Sequence, residues 1–333
     1  MNAPTPDTGT RFLSCDWGTS VFRLRLVEVA TRRVIAASRG DQGIAATFAG
    51  WKAAGEKAGD RASHFARVIA QHLPRVAEDA GGPVAGLPLV ISGMASSSMG
   101  LREIPYRTLP VATDGSDLTV ERLPARDDFP CPIALISGVR TLDDVMRGEE
   151  TQLIGSCALE ASSRSGSGVR RWVVLPGTHS KHVTVSGARA VSFRTYMTGE
   201  VFALLSRQSV LAHSLAGGSA PGDDDPDSFA AGVRAGAAGN LLHAAFRVRT
   251  RALLEDVGPA ANYHYLSGLL IGAELRDLAG EQVAVTLVAS GPLKGAYHRA
   301  LQVLGVRSPV TVQDADDCLI AGQVTIATRL GLL

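Results

Sequence analysis

The sequence predicts an α/β protein built from two similar domains, and three observations carry that expectation. Short apolar runs of strand character alternate with longer stretches in which apolar residues recur at helical spacing. A strand, a glycine-hydroxyl turn and a second strand open the folded chain over residues 12–26, and the same succession returns over 172–185, which points to an internal duplication. A chain of 333 residues with a hydrophobic share of 45% is long enough for two full cores.

In the opening unit Phe22, Leu24 and Leu26 alternate with Arg23 and Arg25, the period of a strand with one buried face. A third short strand is expected around 34–37. Residues 40–62 are rich in Gly and Ala and show no decisive period, whereas Phe65, Val68, Ile69, His72 and Leu73 fit one helix with His64 and His72 on its surface. Strands follow at 88–92 and 132–137, the first running into the small-residue loop 93–100. Thr141, with Asp143 and Asp144 behind it, reads as the N-cap of a helix whose apolar side carries Leu142, Val145, Met146, Leu153, Ile154 and Cys157. Residues 162–168 have the composition of a linker. Beyond the second turn, strands are expected at 183–185, 190–195, 283–288 and 309–312. Helices are expected from Val201 towards Leu211, at 229–254 and 265–278, up to Leu304, and at 316–330. The acidic stretch 217–227 reads as a solvated loop, because no bidentate Glu follows at calcium-loop spacing.

Composition narrows the function. A net charge of +1 implies no basic face for nucleic acid, and 5% aromatics leave few platforms for single strands. Cys15, Cys131, Cys157 and Cys318 are scattered, signalling neither zinc nor a disulfide framework, which fits a reducing cytoplasm. No apolar run reaches transmembrane length, and residues 1–10 read as a disordered polar tail without a signal-peptide core. Small molecules are the expected partners, with no nucleic acid and no membrane; a homodimer stays open.

The two turns carry the chemistry. Asp16-Trp17-Gly18-Thr19-Ser20 ends a strand in an acid, then offers a glycine for close approach, two hydroxyls and free amide groups. That set suits a phosphate, with Asp16 placed to hold hydrated magnesium beside it, although a plain hairpin turn reads equally well. Gly177-Thr178-His179-Ser180-Lys181 repeats the set and adds a cation suited to the terminal phosphates of a nucleotide. His179 and His182 lack a third ligand and read as structural. Arg147-Gly148-Glu149-Glu150-Thr151-Gln152 interrupts its helix with a glycine and two acids, either a place of close approach or two solvated glutamates. A turn at Ser290-Gly291-Pro292 suits packing against adenine and ribose, or is an ordinary strand-to-helix connection. Neither a P-loop nor a dinucleotide-type glycine motif is present.

Asp16-Trp17-Gly18-Thr19-Ser20, Ile91-Ser92-Gly93-Met94, Arg147-Gly148-Glu149-Glu150-Thr151-Gln152, Leu175-Pro176-Gly177-Thr178-His179-Ser180-Lys181 and Tyr196-Met197-Thr198-Gly199-Glu200 occur in that order over nearly the whole chain. Together they resemble the 2-dehydro-3-deoxygalactonokinase family of the actin-like ATPase and sugar kinase superfamily. The resemblance implies two ribonuclease H-like domains, residues 11–155 and 156–333, with a nucleotide cleft between them and a last helix able to pack back on the first domain. It implies ATP and Mg2+, and phosphorylation of 2-dehydro-3-deoxy-D-galactonate at the 6-hydroxyl in galactonate and galactose breakdown. Asp16 would coordinate the magnesium through water, and Gly18, Thr19 and Ser20 would contact phosphates. Gly177, Thr178, His179, Ser180 and Lys181 would form the second phosphate hairpin, although Leu175 and Pro176 stand where many superfamily members have an acid. Gly268 with Ser290, Gly291 and Pro292 would line the adenosine pocket. A positioned carboxylate must take the proton of the attacking alcohol, a role given to Glu150 ahead of Glu149. The sugar acid would lie between Ser96, Ser97 and Ser98 and the segment holding Arg194, Tyr196, Thr198 and Glu200, its carboxylate bound by the serines or Arg102. An exopolyphosphatase-like hydrolase on the same fold and a non-enzymatic, sugar-sensing ATP-binding module are the alternatives.

Overall fold

A computed structural model describes residues 10–55, 60–161, 170–217, 225–280 and 282–333. The linker 162–168, residues 218–224 of the acidic loop and all but the last residue of the expected tail lie outside them. The chain divides into two units, one spanning Met1–Gly168 with Ser186–Ser192 and Ala315–Leu333, the other Val169–Val185 with Phe193–Asp314.

The first unit opens with the antiparallel meander β1 (Arg11–Trp17), β2 (Phe22–Glu28) and β3 (Val34–Gly40), followed by α1 (Ile44–Ala54), α2 (Arg61–Ala70) and α3 (Leu73–Ala80). Next come β4 (Leu89–Gly93), β5 (Arg107–Thr108), β6 (Val111–Ala112), β7 (Val120–Leu123), β8 (Ile133–Ile136), β9 (Val139–Arg140), β10 (Val145–Met146) and α4 (Glu149–Ala161). Its main sheet has the order β3-β2-β1-β4-β8-β7, with β1, β4 and β8 parallel. A meander of three strands continued by two parallel strands is the ribonuclease H-like arrangement. A domain cut between residues 155 and 156 would fall inside α4.

Both faces of this sheet are covered, which is why the consecutive residues Phe12 to Cys15 of β1 are all buried. Leu13, Cys15 and Trp17 pack on one side with Ile44, Phe65, Ile69 and Val76 of the three helices. Phe12 packs on the other with Val90, Ile154 and Ile320. Arg25 therefore does not lie on a solvated face as the period-two alternation suggests: it is buried, and its Nη2 donates to Asp316 Oδ1 at 2.6 Å.

Other expectations shift too. Residues 40–62 contain α1, and the single helix expected near Phe65 is two, α2 and α3. His72 is half-buried: its ring stacks on Phe22 at 4.4 Å and Nδ1 meets Ser38 Oγ at 2.8 Å, burial pulling its pKa down. Thr141 caps no helix. Its hydroxyl accepts from the amides of Asp143 and Asp144, and its own amide donates to Asp144 O at 2.9 Å, closing a turn between β9 and β10. Leu142 at the tip is fully exposed, and the helix begins only at Glu149.

The second unit repeats the plan with β11 (Arg171–Leu175), β12 (Ser180–Ser186) and β13 (Arg189–Tyr196), then α5 (Thr198–Gln208), α6 (Pro226–Ala238), α7 (Leu241–Leu254), α8 (Pro259–Leu275), β14 (Ala284–Val288), α9 (Gly291–Val303) and β15 (Val310–Gln313). The strand order is β15-β14-β11-β12-β13, with β11, β14 and β15 parallel. Its core gathers Val174, Phe229, Val233, Ile271, Leu287 and Tyr297. The helix expected over 229–254 is divided, because Asn240 Oδ1 caps a new helix by accepting from the amides of Leu242 and His243. Finally α10 (Ala315–Arg329) returns the chain to the first unit, where it lies on α4. Among the described residues no helix is long and apolar enough to cross a membrane.

The α4–α10 crossing admits no side chain at its centre: a Cβ on Gly155 would overlap Cys318 O, and one on Gly322 would overlap Thr151 O. Overpacking by one methyl costs about 1–3 kcal/mol where backbone must yield. Gly322→Ala should accordingly lower the unfolding free energy measured by urea titration by about 1–3 kcal/mol or more. Gly258→Ala, where a Cβ meets nothing within 4 Å, should shift stability by no more than about 0.5 kcal/mol.

Candidate active site

The first turn is closed by Gly18 N–H donating to Val21 O at 2.9 Å. The start of α1 sits on it: the amides of Ile44 and Ala45 donate to Gly18 O and Thr19 O at 3.0 and 3.1 Å. That approach needs Gly43, whose Cβ would overlap Thr19 O, a requirement that the turn sequence itself does not announce. The side chains of Thr19 and Ser20 stay exposed. Asp16, opposite Arg23 in the β1–β2 register, receives Arg23 Nη1 on Oδ2 at 2.7 Å. Among the described residues no three His, Cys, Asp or Glu gather as a metal cage. One partly exposed carboxylate with an oxygen to spare fits a Mg2+ that keeps most of its water and takes phosphate oxygens.

Behind this turn three backbones meet. Gly93 at the end of β4 has φ +94°, and a Cβ there would lie 2.7 Å from Trp17 O; Gly148, at φ +112°, would place a Cβ 3.2 Å from Gly93 Cα. The glycine read as an interruption in mid-helix thus precedes α4 and brings its start to the carboxyl ends of β1 and β4. Glu150 is 1% exposed, with Oε2 accepting from Gly148 N–H at 2.7 Å and Oε1 from Thr151 Oγ1 at 3.2 Å. Burial, then the charge of Glu149, pushes its carboxyl up to about 8 despite those bonds. Glu149 is less buried and accepts from the Arg147 amide at 3.0 Å.

Arg147 clamps the loop after β4. Its guanidinium lies 4.1 Å from the Tyr106 ring centre, Nη1 donates to Ser96 O and Ser96 Oγ, both at 2.5 Å, and Nη2 to Ile104 O at 3.3 Å. Of the three serines expected at the sugar, Ser96 is fully buried with its hydroxyl held by this arginine, which corrects its expected role as a donor to a carboxylate. Ser97 is buried with an unpaired hydroxyl, and Ser98 is exposed. Arg102 forms an ion pair with Glu121, Nε to Oε1 at 2.7 Å. Gln323 of α10 donates to Cys15 O at 3.0 Å and Ser92 Oγ at 2.9 Å, tying β1 to β4. A helical glutamine gives no sequence signal of such a role.

In the second unit the same device recurs. Glu200 N–H at the start of α5 donates to Thr178 O at 3.1 Å, and a Cβ on Gly199 would lie 2.6 Å from Gly177 O. Thr178 and His179 are exposed, and His179 Nε2 meets Glu200 Oε2 at 2.5 Å. Ser180 is fully buried, its hydroxyl 3.0 Å from Tyr297 OH, so it faces inward and not towards a phosphate as expected. Lys181 is buried as well, Nζ donating to His179 O at 3.0 Å. Arg194 Nη1 reaches Asp277 Oδ2 at 3.3 Å; the Tyr196 ring lies 4.5 Å from that of His182, and burial pushes its phenol up.

A cavity of about 400 Å³ opens beside this turn, walled by Phe202, Phe229, Tyr263 and Ile271 and bordered by Gly177, Thr198 and Gly199. Its size and apolar walls suit a nucleoside. Pro292 lines it, but Ser290 and Gly291 do not; Ser290 Oγ donates to Asp314 Oδ2 at 2.9 Å. Gly268 is corrected as well: its Cβ would overlap Phe229 O, so it serves the contact of α8 with α6, and its neighbour Ser267 faces the cavity.

A family model described as 2-keto-3-deoxy-galactonokinase matches residues 16–326. A Rhizobium meliloti protein named "Probable 2-dehydro-3-deoxygalactonokinase" is 33% identical over 334 residues, covering 95% of this chain and 96% of its own. The Escherichia coli 2-dehydro-3-deoxygalactonokinase is 37% identical over 249 residues, 72% of this chain and 78% of its own. A crystal structure from Sinorhizobium meliloti, of a protein provisionally named for the same activity, superposes with a TM-score of 0.78 at 32% identity, covering 96% of each chain. With both glycine-hydroxyl turns and the buried acid lying within the matched span, the chain belongs to the 2-keto-3-deoxy-galactonokinase family.

Proposed function

We propose that this protein transfers the γ-phosphoryl group of ATP to the 6-hydroxyl of 2-dehydro-3-deoxy-D-galactonate, in galactonate and galactose breakdown. The observation that carries this reading is the buried Glu150 at the start of α4, beside the ends of β1 and β4, in a chain of this kinase family. An alcohol has to lose its proton as it attacks phosphorus. The Glu150 carboxylate takes that proton while the 6-oxygen bonds to the γ-phosphorus and the bond from phosphorus to the ADP oxygen breaks.

The other residues bind and orient. Asp16 holds Mg2+ through water, and that ion, when bound, screens the charge of the phosphates. Gly18, Thr19 and Ser20 of the first turn and Gly177, Thr178 and His179 of the second contact phosphate oxygens, with Lys181 adding positive charge from beneath its turn. The cavity of the second unit takes adenosine, Pro292 lying along its wall. The first unit offers Ser97, Ser98 and Arg102 to the sugar acid's carboxylate, and the second offers Arg194, Tyr196, Thr198 and Glu200 to its hydroxyls. The substrates are small molecules, and use of ATP fits a cytoplasmic reaction.

The purified protein should form ADP from ATP with Mg2+ only when a 2-dehydro-3-deoxy sugar acid is supplied; equal ADP formation without any sugar would overturn the kinase reading. Glu150→Gln should lower kcat by at least about 100-fold with both KM values little changed. Wild-type kcat/KM for the sugar acid should rise with pH and level off above about 8. A variant as fast as the wild type would remove Glu150 from the chemistry.

The same carboxyl sets a stability test. Its folded pKa stands near 8, above the ordinary 4.5, so its contribution is full below about 4.5 and is lost as pH climbs to 8, at up to roughly 1.4 kcal/mol per pH unit. Glu150→Gln carries no charge to desolvate. Calorimetry should find the variant melting above the wild type at pH 8 and the gap closing towards pH 4.5; a gap independent of pH would contradict the assignment.

A further inference from the structure

Beneath the second turn runs a chain of buried hydrogen bonds that the proton-transfer chemistry does not use. Tyr297 of α9 is 1% exposed and donates its single hydroxyl proton to Glu274 Oε2 of α8 at 2.7 Å. Having given that proton away, Tyr297 is only an acceptor towards Ser180 Oγ at 3.0 Å, so Ser180 must be the donor there. The lone pairs left on Ser180 Oγ accept the Gly177 N–H at 3.3 Å. Thr198 bonds to the same phenol, occupying its remaining lone pair. On the far side Glu274 Oε1 meets His182 Nε2 at 2.9 Å, and the side chains of Glu274 and His182 are each 1% exposed. Every direction in the series is therefore fixed: Gly177 amide to Ser180, Ser180 to Tyr297, Tyr297 to Glu274.

Two further observations give this chain its meaning. Tyr297 also lines the 400 Å³ cavity, together with Gly177 and Thr198. The second turn has no carboxylate at its head, since Leu175 and Pro176 precede Gly177; His179 and Lys181 tie its far end, and the Gly177 end is held by Ser180. We propose that Tyr297 and Glu274 are positioning residues for nucleotide: through Ser180 they hold the Gly177 end of the second turn in register with the cavity wall, so that one hydroxyl aligns the phosphate turn with the nucleoside pocket. The inference rests on the kinase reading above and assigns Ser180 a new part. Its hydroxyl acts on the nucleotide through the Gly177 amide and not by touching a phosphate. Burial, reinforced by Glu274, raises the Tyr297 phenol well above its ordinary value and keeps it a donor.

Tyr297→Phe retains the ring and the cavity wall and removes one oxygen. Titration calorimetry with ADP and with a non-hydrolysable ATP analogue should show Kd raised about tenfold, the loss expected when a buried polar partner is stranded. The KM for ATP should follow, while the KM for the sugar acid moves by under about twofold. Ser180→Ala should weaken nucleotide by a similar factor, and the double variant should be no weaker than either single one, because both break one chain. A folded Tyr297→Phe protein with wild-type nucleotide Kd would overturn the proposal, as would effects of the two substitutions that multiply. A role in stability alone would lower the melting temperature and leave Kd in place. Should Tyr297→Phe not fold, Glu274→Gln, which keeps an acceptor for Tyr297, should weaken nucleotide in the same direction by a smaller factor, and an unchanged Kd there would be equally decisive. Binding needs no turnover, so a wild-type protein that binds nucleotide and phosphorylates no sugar acid would refute the substrate reading alone. One that binds no nucleotide would refute both.

Discussion

The first unit is organised by the meeting of Trp17, Gly93 and Gly148. With φ +94° and room for no side chain against Trp17 O, Gly93 lets the end of β4 close on the end of β1, and Gly148 then lets the chain entering α4 close on Gly93. A Cβ at Gly93 would overlap Trp17 O, and one at Gly148 would crowd Gly93 Cα on a positive φ that favours glycine. The consequences run outward from there. Glu150 is carried into the interior, where loss of water, and after it the charge of Glu149, raises its pKa. Arg147, two residues earlier than Glu149, is carried over Tyr106 and into the loop after β4, where it satisfies Ser96 O and Ile104 O. The basicity of the acid and the shape of the neighbouring loop thus come from one backbone contact.

Duplication explains what the units share, and their differences explain the division of work. Each turn is overlaid by the start of a helix whose glycine, Gly43 or Gly199, lets an amide reach a turn carbonyl. Behind the first turn stands a charge pair, Asp16 with Arg23. Behind the second stands a buried chain of Ser180, Tyr297 and Glu274, with an apolar cavity beside it. The proposed reading gives the first turn the metal and phosphates, and the second phosphates and, through the cavity beside it, the nucleoside. An exposed ion pair is weak and exchangeable, which suits the metal-holding role proposed for Asp16. A fully buried hydrogen-bond chain is costly to break, which suits a wall that has to stay put.

Much of this was legible in the sequence, though the reasons for legibility differ. The alternation in β2, the two glycine-hydroxyl turns and the strands at 88–92 and 132–137 are local signals, and they lie where the spacing places them. Thr141 misleads because a hydroxyl that accepts amides two and three residues on makes an N-cap and a hairpin turn alike; only the pairing of Val145 with Arg140 decides between them. Arg25, Ser96 and Ser180 mislead in another way. Polar residues read as facing a ligand or solvent are buried against partners distant in the chain, as in Arg25 with Asp316. Gln323, Tyr297 and Glu274 are silent for the same reason, since periodicity reports a face and says nothing of what will cover it. Gly268 was legible as a small residue and not as to which neighbour required it, a helix or a nucleotide.

The burial of Glu150 also bears on which acceptor the site favours. A carboxylate open to solvent sits near the ordinary value, ionised at neutral pH but too weak a base to draw a proton from an alcohol. Moving it out of water raises its basicity and, in the same act, removes bulk water from its reach; the two effects cannot be separated, because desolvation causes both. At 1% exposure Glu150 is shielded from bulk water, and the hydroxyl it meets within the protein is that of Thr151. In the mechanism proposed above, a base made strong by exclusion of solvent would discriminate between a sugar hydroxyl held in place and free water without any residue dedicated to that choice, so that the physical origin of its pKa would also be an origin of specificity for transfer over hydrolysis.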